Sequence, residues 1–149
     1  LKQKVIFIVI LLMLIGGWAY WQSRPKVSAH EFVGQVSKVE GSQVYAKGNF
    51  ILDKNKNLDL ALKKEVVIQV SDKTKFVKTL NYLPGPKDLG PNGSFDFNKL
   101  KKEIVAGQLS DLTDNVSGLT IHAKSDINIY NKSKFTASEV DYLKDVSPK

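Results

Sequence analysis

Lys64-Glu65-Val66-Val67-Ile68-Gln69-Val70 is the run on which the fold class turns. Four β-branched residues in seven positions suit a pleated, half-buried surface better than a helix. Asp72-Lys73 then turns the chain into Thr74-Lys75-Phe76-Val77-Lys78-Thr79-Leu80, which alternates polar and apolar. Upstream, Glu31-Phe32-Val33-Gly34-Gln35-Val36-Ser37-Lys38-Val39 also alternates, with a slip between Val36 and Val39 that reads as a bulge. Glu40-Gly41-Ser42 supplies a turn, and Gln43 to Leu52 returns as the second arm of a hairpin. Asn81 to Phe97 contains Pro84, Pro86 and Pro91 with Gly85, Gly90 and Gly93, so it reads as a long irregular loop. Asn98 to Ala106, with Leu100, Ile104 and Val105 among lysines, is expected to form one short helix. Leu119 to Ile129 and Phe135 to Leu143 are the final expected strands. The fold class is therefore mainly β: five to seven strands closed into a small barrel or stacked as a sandwich, since closure removes exposed edges.

At the other end of the chain the periodicity disappears. Val5 to Trp21 reads VIFIVILLMLIGGWAYW, about 17 residues without a charge, near the lower limit for spanning a hydrocarbon core of about 30 Å. Lys2 and Lys4 precede the run, and Trp18, Tyr20 and Trp21 close it where amphipathic rings favour headgroups. Residues 1–22 are expected to be a transmembrane signal anchor, residues 23–29 a tether, residues 30–143 the domain and residues 144–149 a flexible tail. The partner of residues 5–21 is then membrane lipid. The expected location is the cytoplasmic membrane, single-pass, with the N-terminus inside and the domain outside. A cleaved signal peptide is the rival reading, because Val27-Ser28-Ala29 offers small residues. Against it stand Trp21, Arg24, Pro25 and Lys26 between the apolar run and that site.

The chain of 149 residues has no cysteine, which excludes disulfides, thiolate metal sites, thiol nucleophiles and lipidation at cysteine. Its formal charge of +7 falls to about +5 without Lys2 and Lys4, a mild bias rather than a nucleic-acid footprint.

Several short motifs recur in a familiar order. Val33-Gly34-Gln35-Val36 is followed by Thr74-Lys75-Phe76, then by Leu109-Ser110-Asp111-Leu112-Thr113, Leu119 to Ala123 and Phe135 to Val140. This order resembles the small OB-like β-barrel domains of unknown function in bacterial envelope proteins, over most of residues 30–143. The resemblance implies an OB-like barrel and carries no catalytic residues. The Pro/Gly-rich insert at 81–97 and the spacing from Leu112 to Gly118 depart from the pattern.

Two residue sets invite a functional reading. Lys63, Lys64, Lys73, Lys75 and Lys78 with Phe76 among them could present a basic, aromatic face to a polyanion, either a cell-wall polymer or single-stranded nucleic acid. An external location argues against nucleic acid. Asp53, Asn55, Asn57 and Asp59 alternate like ligands of a hard cation. Leu58 stands where such a loop needs glycine and Lys64 where it needs glutamate, so a plain Asx-rich turn is the expected structure and no metal or other cofactor is expected. Only His30 and His122 supply imidazoles, and no nucleophile motif accompanies them. The expected function is a non-catalytic, membrane-tethered binding module whose partner is an envelope protein or an anionic polymer.

Overall fold

Two-residue alternation holds through most of the chain, and it builds one sheet. A computed structural model describes residues 26–96, 100–113 and 118–147. Its strands are β1 (Glu31–Glu40), β2 (Gln43–Ile51), β3 (Leu58–Gln69), β4 (Lys75–Tyr82), β5 (Lys102–Ala106), β6 (Thr120–Lys124), β7 (Lys134–Thr136) and β8 (Glu139–Val146). One short helix, α1 (Ser110–Thr113), lies between β5 and β6, and Pro86–Asp88 forms a 3₁₀ turn. The hydrogen-bonded order is β5-β4-β8-β6-β1-β2-β3-β7, with β3·β7 and β4·β8 parallel and the other pairs antiparallel.

The protein is mainly β, with eight strands among the described residues instead of five to seven. The expected helix over Asn98–Ala106 is corrected: Lys102–Ala106 is β5, paired antiparallel with β4. Ile104 and Val105 are β-branched and lose side-chain freedom in a helix, whereas the free edge of β4 satisfies their backbone. The single final strand is also corrected, because it divides at Ala137-Ser138. Ala137 N–H donates to Gln69 of β3 (3.0 Å), and Ser138 N–H donates to Lys124 of β6 (2.8 Å). The chain thus changes partner strands within two residues. β8 continues to Val146, three residues past the expected domain edge at 143, and Val146 accepts a bond from Leu83 N–H (2.9 Å).

Counted by ladders, the sheet is not closed; it ends at β5 and β7. It is nevertheless strongly curled. β8 and β7 stand five places apart in the order, about 24 Å in a flat sheet, while the link from Thr136 to Glu139 reaches at most about 11 Å. Only a sheet rolled onto itself satisfies both. Phe32, Val44, Ala46, Phe50, Val66, Ile68, Ile121, Ala123 and Val140 fill the inside of the roll. The Phe32 ring meets Phe50 edge-on at 5.4 Å and Phe135 at 6.1 Å.

Two devices allow the curl. The bulge between Val36 and Lys38 leaves Ser37 unopposed, as the sequence predicts. Gly34 and Gly48 face each other across β1 and β2, where the backbones approach too closely for side chains.

At the β5 side, α1 is clamped through Asp111. Its carboxylate accepts bonds from Lys78 Nζ (3.0 Å), Gln108 N–H (3.2 Å) and the Tyr142 hydroxyl. Desolvation alone would raise the Asp111 carboxyl, but these donors outweigh it and hold it below its usual range. Burial, then the bond to Asp111, pushes the Tyr142 hydroxyl well above its usual value.

No helix among the described residues is long and apolar enough to cross a membrane. The expected anchor over residues 1–22 lies outside the described residues.

Candidate binding face

Strand register aligns side chains from four strands on the outside of the roll. The first row is Glu31 on β1, Lys124 on β6, Glu139 on β8 and Lys75 on β4. The second is Val33, His122, Asp141 and Val77. Next to these, Gln35 pairs with Thr120, and Leu143 with Thr79 and then Ile104. One edge of the face is thus charged, and it becomes apolar toward β5.

The charged edge is a connected network. Lys124 Nζ binds Glu139 and lies 3.2 Å from Asp141, and Lys75 reaches Glu139 at 3.3 Å. His122 Nε2 meets Glu31 at 2.8 Å, its Nδ1 lies 3.7 Å from Asp141, and Lys56 donates to Glu31 at 3.1 Å. The bond from Lys56 holds the Glu31 carboxyl below its usual range, and the bond from Lys124 does the same for Glu139. Lys124 is correspondingly raised, chiefly by its bond to Glu139.

Beside the network, Val33, Thr79, Thr120, His122, Asp141 and Leu143 line an open groove of about 270 Å³. Leu143 is 46% exposed and Ile104 74% exposed, so the apolar side lies open. Asp141 Oδ1 is shielded from solvent and accepts no hydrogen bond from the described residues. An unmade bond of that kind costs about 1–3 kcal/mol. The groove itself sets the apolar Val33 and Leu143 beside the polar Thr79, Thr120, His122 and Asp141.

Neither residue set singled out from the sequence assembles into one site. Lys75 is paired with Glu139 and Lys78 with Asp111, while Lys64 Nζ donates to Asn131 O (2.6 Å) and Oδ1 (2.9 Å). Phe76 packs against the core. Lys75 lies on the opposite face of β4 from Phe76 and Lys78, and Lys63 on the opposite face of β3 from Lys64. Lys73 is exposed in the turn before β4.

The Asp53–Asp59 loop is likewise dispersed. Asp53 takes a 2.7 Å bond from His30, and Asp59 takes one from the Tyr130 hydroxyl at 3.0 Å. Asn55 Oδ1 accepts from Asn57 N–H at 3.1 Å, an Asx turn. Among the described residues no three His, Cys, Asp or Glu side chains are placed to hold a metal ion.

The chain matches no protein-family model, no curated protein and no solved structure.

The residues of the face were only half visible in the sequence. Alternation puts Thr120, His122 and Lys124 on one side of their strand, and Glu139, Asp141 and Leu143 on one side of theirs. That β6 and β8 are neighbours, with β4 joining in parallel, depends on long-range pairing that no local pattern announces.

The depressed carboxyls predict acid sensitivity. Glu31 and Glu139 fall below 4.5, and Asp53 and Asp111 below 3.8; for Asp53, bonds from Ser28 and His30 outweigh desolvation. A carboxyl lowered on folding stabilises the fold above its unfolded value and loses that contribution as pH falls through its native value. The thermal midpoint is expected to stay level down to about pH 5 and to fall steadily below about pH 4. A midpoint unchanged from pH 5 to pH 3 would contradict these pairings.

Proposed function

We propose that this protein is a non-catalytic binding module, held by residues 5–21 at the outer face of a cytoplasmic membrane, whose partner docks on the β1/β6/β8/β4 face. The observation that carries the reading is the open groove, whose lining sets Val33, Thr79 and Leu143 beside His122 and Asp141. Its occupant is an envelope protein that presents an apolar side chain next to an N–H donor or a cation. The rolled sheet is read as an OB-like barrel in which β7 and β8 act as one bent strand bridging β3 and β6. Support for this comes from the β1-β2-β3 meander, the parallel β3·β7 pair and the antiparallel β1·β6 pair. The polyanion reading has less support, because Lys64, Lys75 and Lys78 are already engaged within the domain.

A photo-crosslinkable residue replacing Leu143 in the full chain, in its own membranes, tests the assignment. One discrete product is expected from position 143 and none from Lys47 on the outside of β2. Adding Val33→Lys is expected to lower the yield several-fold. Equal capture from both positions, or indifference to Val33→Lys, would remove the face from consideration.

A further inference from the structure

The domain also has a distinct pole where the chain enters it. Asp53 N–H donates to Ser28 O (3.0 Å), Ala29 N–H to Asn128 Oδ1 (3.1 Å) and Ile129 N–H to Ala29 O (2.7 Å). Ala29 is fully buried. With the Tyr130–Asp59 bond, these contacts hold residues 26–31, 52–64 and 125–134 together.

Among the described residues eight large apolar side chains are well exposed, and four of them belong to this pole: Val27 at 50%, Leu58 at 45%, Leu60 at 80% and Ile127 at 54%. Each is no more than one residue from the contacts just described. Leu58 and Leu60 open β3 where its pairing with β2 shifts register between Asn49 and Ile51, and the core covers neither. The same segments contain seven lysines against Glu31 and three aspartates. Three of these four acids are already engaged: Glu31 with Lys56 and His122, Asp53 with His30, and Asp59 with Tyr130. Seven lysines against four acids leave a formal charge of about +3, although Lys56 is bonded to Glu31 and Lys64 to Asn131.

We propose that this pole is a lipid-contacting surface that rests on anionic phospholipid headgroups, with Leu60 and Ile127 entering the interface and the lysines meeting phosphate. Exposed apolar side chains with lysines in the same segments are the combination that partitions to anionic interfaces. The proposal rests on the tether reading, which also fixes the distance. From Trp21, the end of the apolar run, to Ser28, stitched onto the domain, the chain spans at most about 25 Å. With residues 5–21 in the bilayer, the pole stays near the headgroups.

The absence of cysteine makes the test clean. Full-length Leu60→Cys and Leu143→Cys variants carry an environment-sensitive nitrobenzoxadiazole label and are reconstituted into phosphatidylcholine vesicles with or without phosphatidylglycerol. Flotation after alkaline carbonate washing reports the tether separately. The expected result is co-flotation, with a Leu60 signal about twofold brighter and blue-shifted in anionic vesicles, reversed by high salt, and an unchanged Leu143 signal. Co-flotation with identical behaviour of the two labels would overturn the lipid surface and leave the tether standing. A Leu60 response that ignores phosphatidylglycerol and follows protein density would assign the pole to a second copy and overturn it too. Loss of the chain from the floated fraction would remove the tether, and the lipid surface with it.

Discussion

Gly48→Ala is expected to destabilise the domain by about 3 kcal/mol or more, roughly 15 °C in thermal midpoint, and to leave little folded protein. A Cβ at residue 48 would stand 1.9 Å from Val33 O and 2.4 Å from Gly34 Cα. Both obstacles are backbone, so no rotamer change relieves them, and β1 must part from β2 where the sheet bends. Gly41→Ala is the control. Gly41 has φ +55° with nothing within 4 Å of the added carbon, so the cost is backbone strain alone, about 1–2 kcal/mol. Equal midpoints for the two variants would mean that β1 and β2 do not approach as described.

The second large effect belongs to the aromatic centre. Phe32 is fully buried, meets Phe50 and Phe135 edge-on, and its ring covers the space beside Gly34, where a Cβ would lie 2.6 Å away. Phe32→Ala removes the ring from a closely packed interior and is expected to cost about 4 kcal/mol in urea unfolding. Phe32→Leu, which keeps most of the volume, is expected to cost about 1–1.5 kcal/mol. A loss below 1 kcal/mol for the alanine variant would show that the inside of the roll is not a single packed core.

These residues mark how far the sequence could be read. Local pattern sufficed for β1, β2, the second half of β3 and β4, because alternation and turn residues are written into neighbouring positions. The Ser37 bulge is legible for the same reason: its apolar residues slip by one. The start of β3 at Leu58 was not legible. Leu58-Asp59-Leu60-Ala61-Leu62 extends β3 well beyond its β-branched centre, and its pairing with β2 shifts register between Asn49 and Ile51.

β5 was misread because Ile104-Val105 among lysines fits a short helix as well as an edge strand, and the partner that decides is β4, some 25 residues away. The break at Ala137-Ser138 has no local signal, since it exists only where β3 and β6 both claim the chain. The candidate face fails to announce itself for the same reason. His122 and Asp141 become neighbours through the β6·β8 register, and the lysines that looked like a site are spread over opposite faces by the period-two geometry that made the strands readable.

Alkaline carbonate extraction of membranes containing the full chain tests most directly the proposed tethering of the domain through residues 5–21. The expected result is full-length protein retained in the washed pellet, with the domain cleaved only by protease added from outside the cell. Release of the domain into the supernatant as a soluble product beginning near His30 would contradict it.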